Sequence, residues 1–167
     1  MKTPYYKTFF IDTDTYFCES CVELFYLLDF YDVLAATAPA DIRLVEKEKN
    51  KIIGYYPYNS GVMLYKKNEK VLNFIKEWHK IFIKKYNIYY GDQPALMEAL
   101  LYHDIKIYAL SNIYNFRSPY YNGITGDKVK IIHGRSEDYE LLEKELNRYT
   151  GNRIWDPINK KIIFPNQ

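Results

Sequence analysis

Cysteine is scarce, with Cys18 and Cys21 the only two in the chain. A single Cys-x-x-Cys is half of a four-thiolate zinc site or a redox pair. The second pair is missing, and none of His79, His103 and His133 has a companion at ligand spacing, so two ordinary reduced thiols are expected. Long apolar runs are lacking as well. None approaches the roughly 18 residues that a membrane helix needs, and the stretch from Met1 to Phe10 has no uninterrupted apolar core of the secretory kind. The expectation is a soluble, cytoplasmic protein without an integral membrane segment. An excess of one charge is also absent. Lys plus Arg number 23 against 21 Asp plus Glu, and a formal charge of +2 supplies no strong field towards nucleic acid or an anionic membrane.

The 167 residues, 48% hydrophobic and 26% charged, have the size and balance of one globular domain over 1–167, without repeat, low-complexity tract or linker. Thr8 to Ile11 reads as a short buried strand that ends in Asp12-Thr13-Asp14-Thr15. Val22 to Leu28 reads as a short helix and Val33 to Thr37 as a second buried strand. Asp41 to Lys51 carries charges at nearly every other position and reads as a mobile loop or lid. Ile52 to Tyr58 and Gly61 to Tyr65 look extended, joined through Asn59-Ser60-Gly61, with a tight turn or a close backbone approach at Gly61. From Val71 to Phe82 apolar residues recur at three- and four-residue steps, which predicts an amphipathic helix. Gly91-Asp92-Gln93-Pro94 opens another helix through Leu101, with Asp92 suited to the N-cap and Pro94 to the first turn. Lys106 to Leu110 and Val129 to His133 are strand candidates, and Glu137 to Tyr149 a closing helix. Strands alternating with helices imply an α/β fold with ligands at strand ends.

Two aspartates one residue apart at the end of a buried strand can both turn towards one point and offer hard oxygen ligands to Mg²⁺ or Mn²⁺. Without a cation such a pair repels itself. The plain alternative is a turn in which each Asp caps a backbone amide. Three further polar sets, Asn59-Ser60-Gly61, Asp92-Gln93 and His133-Gly134, also lie at element ends where a common cleft can form. Tyr55, Tyr56, Tyr58, Tyr89, Tyr90, Tyr120 and Tyr121 cluster around them; their rings suit a sugar's apolar face, although core packing accounts for most of them more simply.

Phe9-Phe10-Ile11-Asp12-Thr13-Asp14-Thr15, Tyr58-Asn59-Ser60-Gly61-Val62-Met63-Leu64, Gly91-Asp92-Gln93-Pro94-Ala95-Leu96, Asn112 to Phe116 with its Tyr-Asn-Phe core, and Ile131-Ile132-His133-Gly134 follow one another in the chain. In that order they resemble the motifs of GT-A glycosyltransferases, especially the retaining group that includes glycogenin and the bacterial lipooligosaccharide galactosyltransferases. The resemblance implies a GT-A-like mixed sheet flanked by helices. It implies transfer of a hexose from a nucleotide diphosphate sugar, UDP- or GDP-linked, to a carbohydrate or other hydroxyl acceptor. It makes Asp12, Asp14 and His133 ligands of Mn²⁺ or Mg²⁺, and an imidazole in that set favours Mn²⁺. Asn59, Ser60 and Gly61 then border the donor, Asp92 accepts hydrogen bonds from its hydroxyls, Gln93 stands near the reacting carbon, and Gly134 and Arg135 face phosphate.

Two departures stand out. The family has a nucleotide-binding half before its Asp-x-Asp strand, whereas only Met1 to Lys7 precede it here. A minimal or N-terminally truncated enzyme is therefore expected, or one whose missing half comes from a homo-oligomer or a partner chain, or one whose nucleotide binding is degenerate. After His133-Gly134, Arg135-Ser136 replaces the continuation of the nearest family members; Arg135 either contacts phosphate or pairs with Glu137 or Asp138. Two other readings remain. In a haloacid dehalogenase type phosphatase Asp12 would attack, Asp14 would shuttle protons and Ser111 would follow, but the acidic candidate Asp92 comes too early in the chain. A non-catalytic domain would bind metal and sugar, or a partner, without turnover.

Overall fold

The computed structural model describes residues 3–37, 45–46, 51–52, 58–86 and 91–165. Strand β1 (Lys7–Ile11) turns into β2 (Thr15–Phe17), followed by the short helix α1 (Leu24–Leu27) and strand β3 (Val33–Thr37). β4 (Val45–Glu46) and β5 (Lys51–Ile52) form a small antiparallel ladder. The rest of the expected loop from Asp41 to Lys51 lies outside the described residues, as do Tyr55, Tyr56, Tyr89 and Tyr90. β6 (Tyr58–Lys66) leads to α2 (Glu69–Ile81), a single π-helical turn (Phe82–Tyr86) and α3 (Gln93–Tyr102). Then come β7 (Ile107–Leu110), a 3-10 turn (Asn112–Tyr114), β8 (Phe116–Arg117), β9 (Asn122–Ile124) and β10 (Ile131–His133). Helix α4 (Tyr139–Asn147) and the strands β11 (Arg153–Asp156) and β12 (Lys161–Ile163) complete the described chain.

The main sheet has the order β1-β6-β3-β7, with β6 antiparallel to both neighbours and β3 parallel to β7. β3 and β6 are buried on both faces, which explains their uninterrupted apolar sequences. Alternate residues point opposite ways. Val33, Ala35, Met63 and Tyr65 meet Phe74 and Ile75 of α2 and Leu96 of α3, while Leu34, Ala36, Val62 and Leu64 meet Leu24, Leu28 and Ile131. Fully buried residues such as Phe74, Leu64 and Leu96 each stabilise the fold by about 2 kcal/mol relative to exposure. No turn interrupts Asn59-Ser60-Gly61. The strand instead runs through it, because Asn59 and Ser60 are buried and the register shift against β3 between Ala35 and Ala36 absorbs the irregularity.

Helix α2 begins where the Asn68 side chain accepts from the Val71 amide at 2.8 Å, with Glu69 in the first turn and His79 and Lys80 in the last, both favourable to the helix dipole. A second sheet, β2-β10-β8, carries β10 between an antiparallel and a parallel neighbour. A third, β12-β11-β9, packs Trp155 and Ile124 against Phe116, Ile132 and Leu146. The buried Arg153 closes this region by donating to the carbonyls of Leu146, Gly151 and Asp127. No described helix is long and apolar enough to cross a membrane.

Candidate functional site

The turn after β1 is held from three directions. The Asp12 amide donates to the Gly61 carbonyl on β6 at 2.8 Å, the Gly134 amide after β10 donates to the Asp14 carbonyl at 2.9 Å, and the Thr15 hydroxyl donates back to the Asp12 carbonyl at 2.8 Å. Thr15 also stands opposite His133 in the β2–β10 ladder. The ends of both sheets thereby converge on Asp12, Asp14 and His133.

One ligand-type atom of each of these residues lies within 4.8 Å of the others. His133 Nε2 is 3.6 Å from Asp12 Oδ2 and 3.4 Å from Asp14 Oδ1. These contacts do not make an ion pair at neutral pH. Burial and the neighbouring Arg117 guanidinium hold the His133 pKa below its ordinary value, despite the pull of both aspartates. Burial chiefly, helped by Asp92 and Asp14, holds the Asp12 carboxyl above its ordinary range against the pull of His133 and Arg117. The imidazole's other nitrogen, Nδ1, is 2.7 Å from Asn115 Oδ1. An amide oxygen only accepts, so Nδ1 carries the hydrogen and Nε2 presents a lone pair to the two carboxylates. Three acceptors facing one another are favourable around a cation, and the imidazole anchored through its far N–H is the arrangement found at metal-ligating histidines. The residues present therefore fit a divalent ion.

Gly61 makes the close approach possible. A Cβ there would lie 2.8 Å from Asp12 Cγ and nearer still to Asp12 Oδ2 and His133 Cε1. Gly134, at φ 123°, adopts a conformation that side chains disfavour, and a Cβ on it would meet Pro119 Cδ at 2.7 Å.

Asp92 stands at the N-cap of α3, but its side chain does not cap the helix. It accepts instead from the Ser60 hydroxyl at 2.6 Å, and its carbonyl accepts from Trp78 Nε1 at 3.0 Å. β6 and α2 together thus fix the entrance of α3, where Gln93 is the first helical residue. Asn59 turns its amide oxygen onto the Gly61 amide at 3.0 Å and shapes the strand beneath the carboxylates. Arg135 is exposed and lines a cleft of about 410 Å³ with Ser118, Pro119, Glu137, Asp138 and Trp155. Asn115 and Arg117 beside His133 were not among the residues singled out by sequence, although Asn115 forms the centre of the Tyr-Asn-Phe segment. Cys18 and Cys21 are free thiols, pushed up to about 12 and about 11 mainly by burial, and neither belongs to the donor group.

The family model described as nucleotide-diphospho-sugar transferase matches residues 5–145, so it spans every one of these motifs. The chain belongs to that family. Membership settles the choice against the phosphatase reading of Asp12 and Asp14. Among solved structures, the glycosyltransferase GlyE of Streptococcus pneumoniae TIGR4 superposes with a TM-score of 0.53 at 18% identity, over 90% of this chain and 38% of the other. At that identity the similarity speaks for the fold, which is GT-A-like, and the chain spans well under half of the solved one. No curated protein matches significantly.

Proposed function

We propose that this nucleotide-diphospho-sugar transferase chain carries the metal- and donor-binding part of a glycosyltransferase that moves a hexose from a UDP- or GDP-linked donor to a hydroxyl acceptor. The observation that carries the reading is the convergence of Asp12, Asp14 and the Nε2 lone pair of His133 on one point, with Gly61 leaving room for it. Mn²⁺ or Mg²⁺ held there would neutralise charge that develops on the departing diphosphate. Ser60 holds one oxygen of Asp92 and leaves the other to accept a hydrogen bond from a donor-sugar hydroxyl. Gln93, fixed by the start of α3, stands beside the reacting carbon, and Asn59 and Gly61 border the donor. Gly134 and Arg135 approach phosphate. Retention, with the leaving phosphate taking the acceptor's proton, is the outcome towards which the resemblance to the retaining group leans.

Calorimetric titration with UDP, GDP and their common sugar conjugates, first with Mn²⁺ and then with chelator, tests this directly. Binding of one nucleotide that disappears with chelator is the expected result and names the donor class. Metal-independent binding would overturn the metal assignment. A second reading is a domain that binds metal and sugar without turnover. Absence of binding in the isolated chain would favour it.

A further inference from the structure

Arg117 lies beside the donor group by construction of the sheet. β8 runs parallel to β10 with Arg117 paired to His133, and Asn115, two residues earlier, accepts the His133 hydrogen bond. No described carboxylate reaches Arg117 within ion-pair distance, and its Nε is buried without a hydrogen-bond partner. Among the described residues its guanidinium stands against the Tyr120 ring, 5.6 Å from the guanidinium carbon to the centroid. A buried, unpaired donor on a charged group is costly and calls for an acceptor that arrives from outside. Arg135 is placed differently, since it shares its cleft with Glu137, Asp138 and Glu145.

We infer that Arg117 is a phosphate ligand of this site, sharing the donor's diphosphate with the cation at Asp12, Asp14 and His133. The inference rests on the donor reading above. Its chemistry follows from charge: two carboxylates offset a divalent ion, so a diphosphate brought to that ion needs a further fixed cation. Arginine supplies one with donors in a planar fork that matches phosphate oxygens. The charge of Arg117 already reaches the site, since it acts on both Asp12 and His133. Stacking on Tyr120 would hold the guanidinium while its edge stays available.

The test compares the full chain with Arg117→Gln and Arg117→Lys by calorimetry, using Mn²⁺ alone and then inorganic pyrophosphate with Mn²⁺. Arg117→Gln is expected to weaken pyrophosphate binding about tenfold or more without weakening Mn²⁺ alone. Arg117→Lys, which keeps the charge and loses the fork, should fall between the two. Equal pyrophosphate affinity in wild type and both variants would overturn the role of Arg117 and leave the donor reading standing. Parallel loss of Mn²⁺ and pyrophosphate binding in both variants would show a structural role and overturn the inference too. If Arg117→Gln does not fold, the lysine variant decides alone: undiminished pyrophosphate affinity overturns the inference, and a selective loss supports it. A wild-type chain that binds Mn²⁺ but neither pyrophosphate nor UDP overturns both readings together.

Discussion

The His133 ring and the Asn115 amide, 3% and 1% exposed, are joined by a hydrogen bond of 2.7 Å that fixes which imidazole nitrogen faces the two aspartates. Asn115→Ala removes the acceptor, so Nδ1 loses its partner and the Nε2 lone pair is no longer enforced. Loss of such a second partner typically weakens metal binding about 10–100-fold. Titration with Mn²⁺ should show that loss, and nitrogen NMR of His133 should show mixed tautomers where the wild type shows one. An unchanged affinity would mean that the ring is held by packing alone.

Gly61→Ala is expected to spare the fold and damage the site. The added methyl meets side-chain atoms of Asp12 and His133 and not a β-sheet neighbour's backbone, so the half-buried Asp12 carboxylate, less enclosed than the His133 ring, is what gives way. Mn²⁺ affinity should drop about tenfold or more through the displaced ligand, a loss of about 1.4 kcal/mol. Thermal unfolding should move by only a few degrees. A large fall in stability with intact metal affinity would contradict this picture of which atoms yield.

Much of this was legible in the sequence, for reasons that differ by element. β3 and the apolar face of α2 are read from composition and periodicity because burial on a sheet or helix face leaves a regular pattern. The resemblance singles out Asp12, Asp14 and His133, although His133 lies far down the chain from Asp14 and no local pattern brings them together. At Asn59-Ser60-Gly61 the close approach expected of Gly61 is present, but the segment is continuous strand and not a joint, because its polar residues only resemble a turn. Their hydrogen bonds go to Asp92 and the Gly61 amide, which only the folded sheet supplies. β2, β8, β9, β11 and β12 are two to four residues long, too short for a period to show. Arg117 escaped for a related reason: its position beside His133 is a matter of sheet register.

Asp14→Ala and Gln93→Ala should separate binding from turnover. Asp14 offers a carboxylate to the donor group from a turn, so its removal opens no core cavity. Metal-dependent nucleotide binding should vanish while the unfolding temperature holds, measured by calorimetry and circular dichroism. Gln93→Ala should leave nucleotide binding within about twofold and lower kcat. Equal weakening of both would make Gln93 a binding residue and remove it from the reacting carbon.

Acid stability should depend on Asp32, which ties three elements at the edge of the main sheet. Its carboxylate accepts from Lys70 Nζ of α2 at 2.9 Å and from the Lys106 amide before β7 at 3.0 Å, and it lies 3.5 Å from Lys66 Nζ on β6. Burial alone would raise its pKa, but the Lys70 and Lys106 hydrogen bonds, with the Lys66 charge, outweigh it and hold the carboxyl below the usual range. A depressed pKa means that the native state favours the ionised form. The stabilisation is therefore complete above the ordinary aspartate pKa of about 4 and is lost as pH falls through the lower folded value. Lys70 is half exposed and solvent screens its charge, so the ion pair itself contributes little. With the weakened backbone hydrogen bond, Asp32→Asn should cost about 1–2 kcal/mol at pH 7, or about 3–6 °C in Tm. The difference between variant and wild type should shrink as pH drops below about 4, where the wild-type carboxyl also becomes neutral. A gap in Tm that stays constant down to pH 2 would show that packing, and not charge, is what Asp32 contributes.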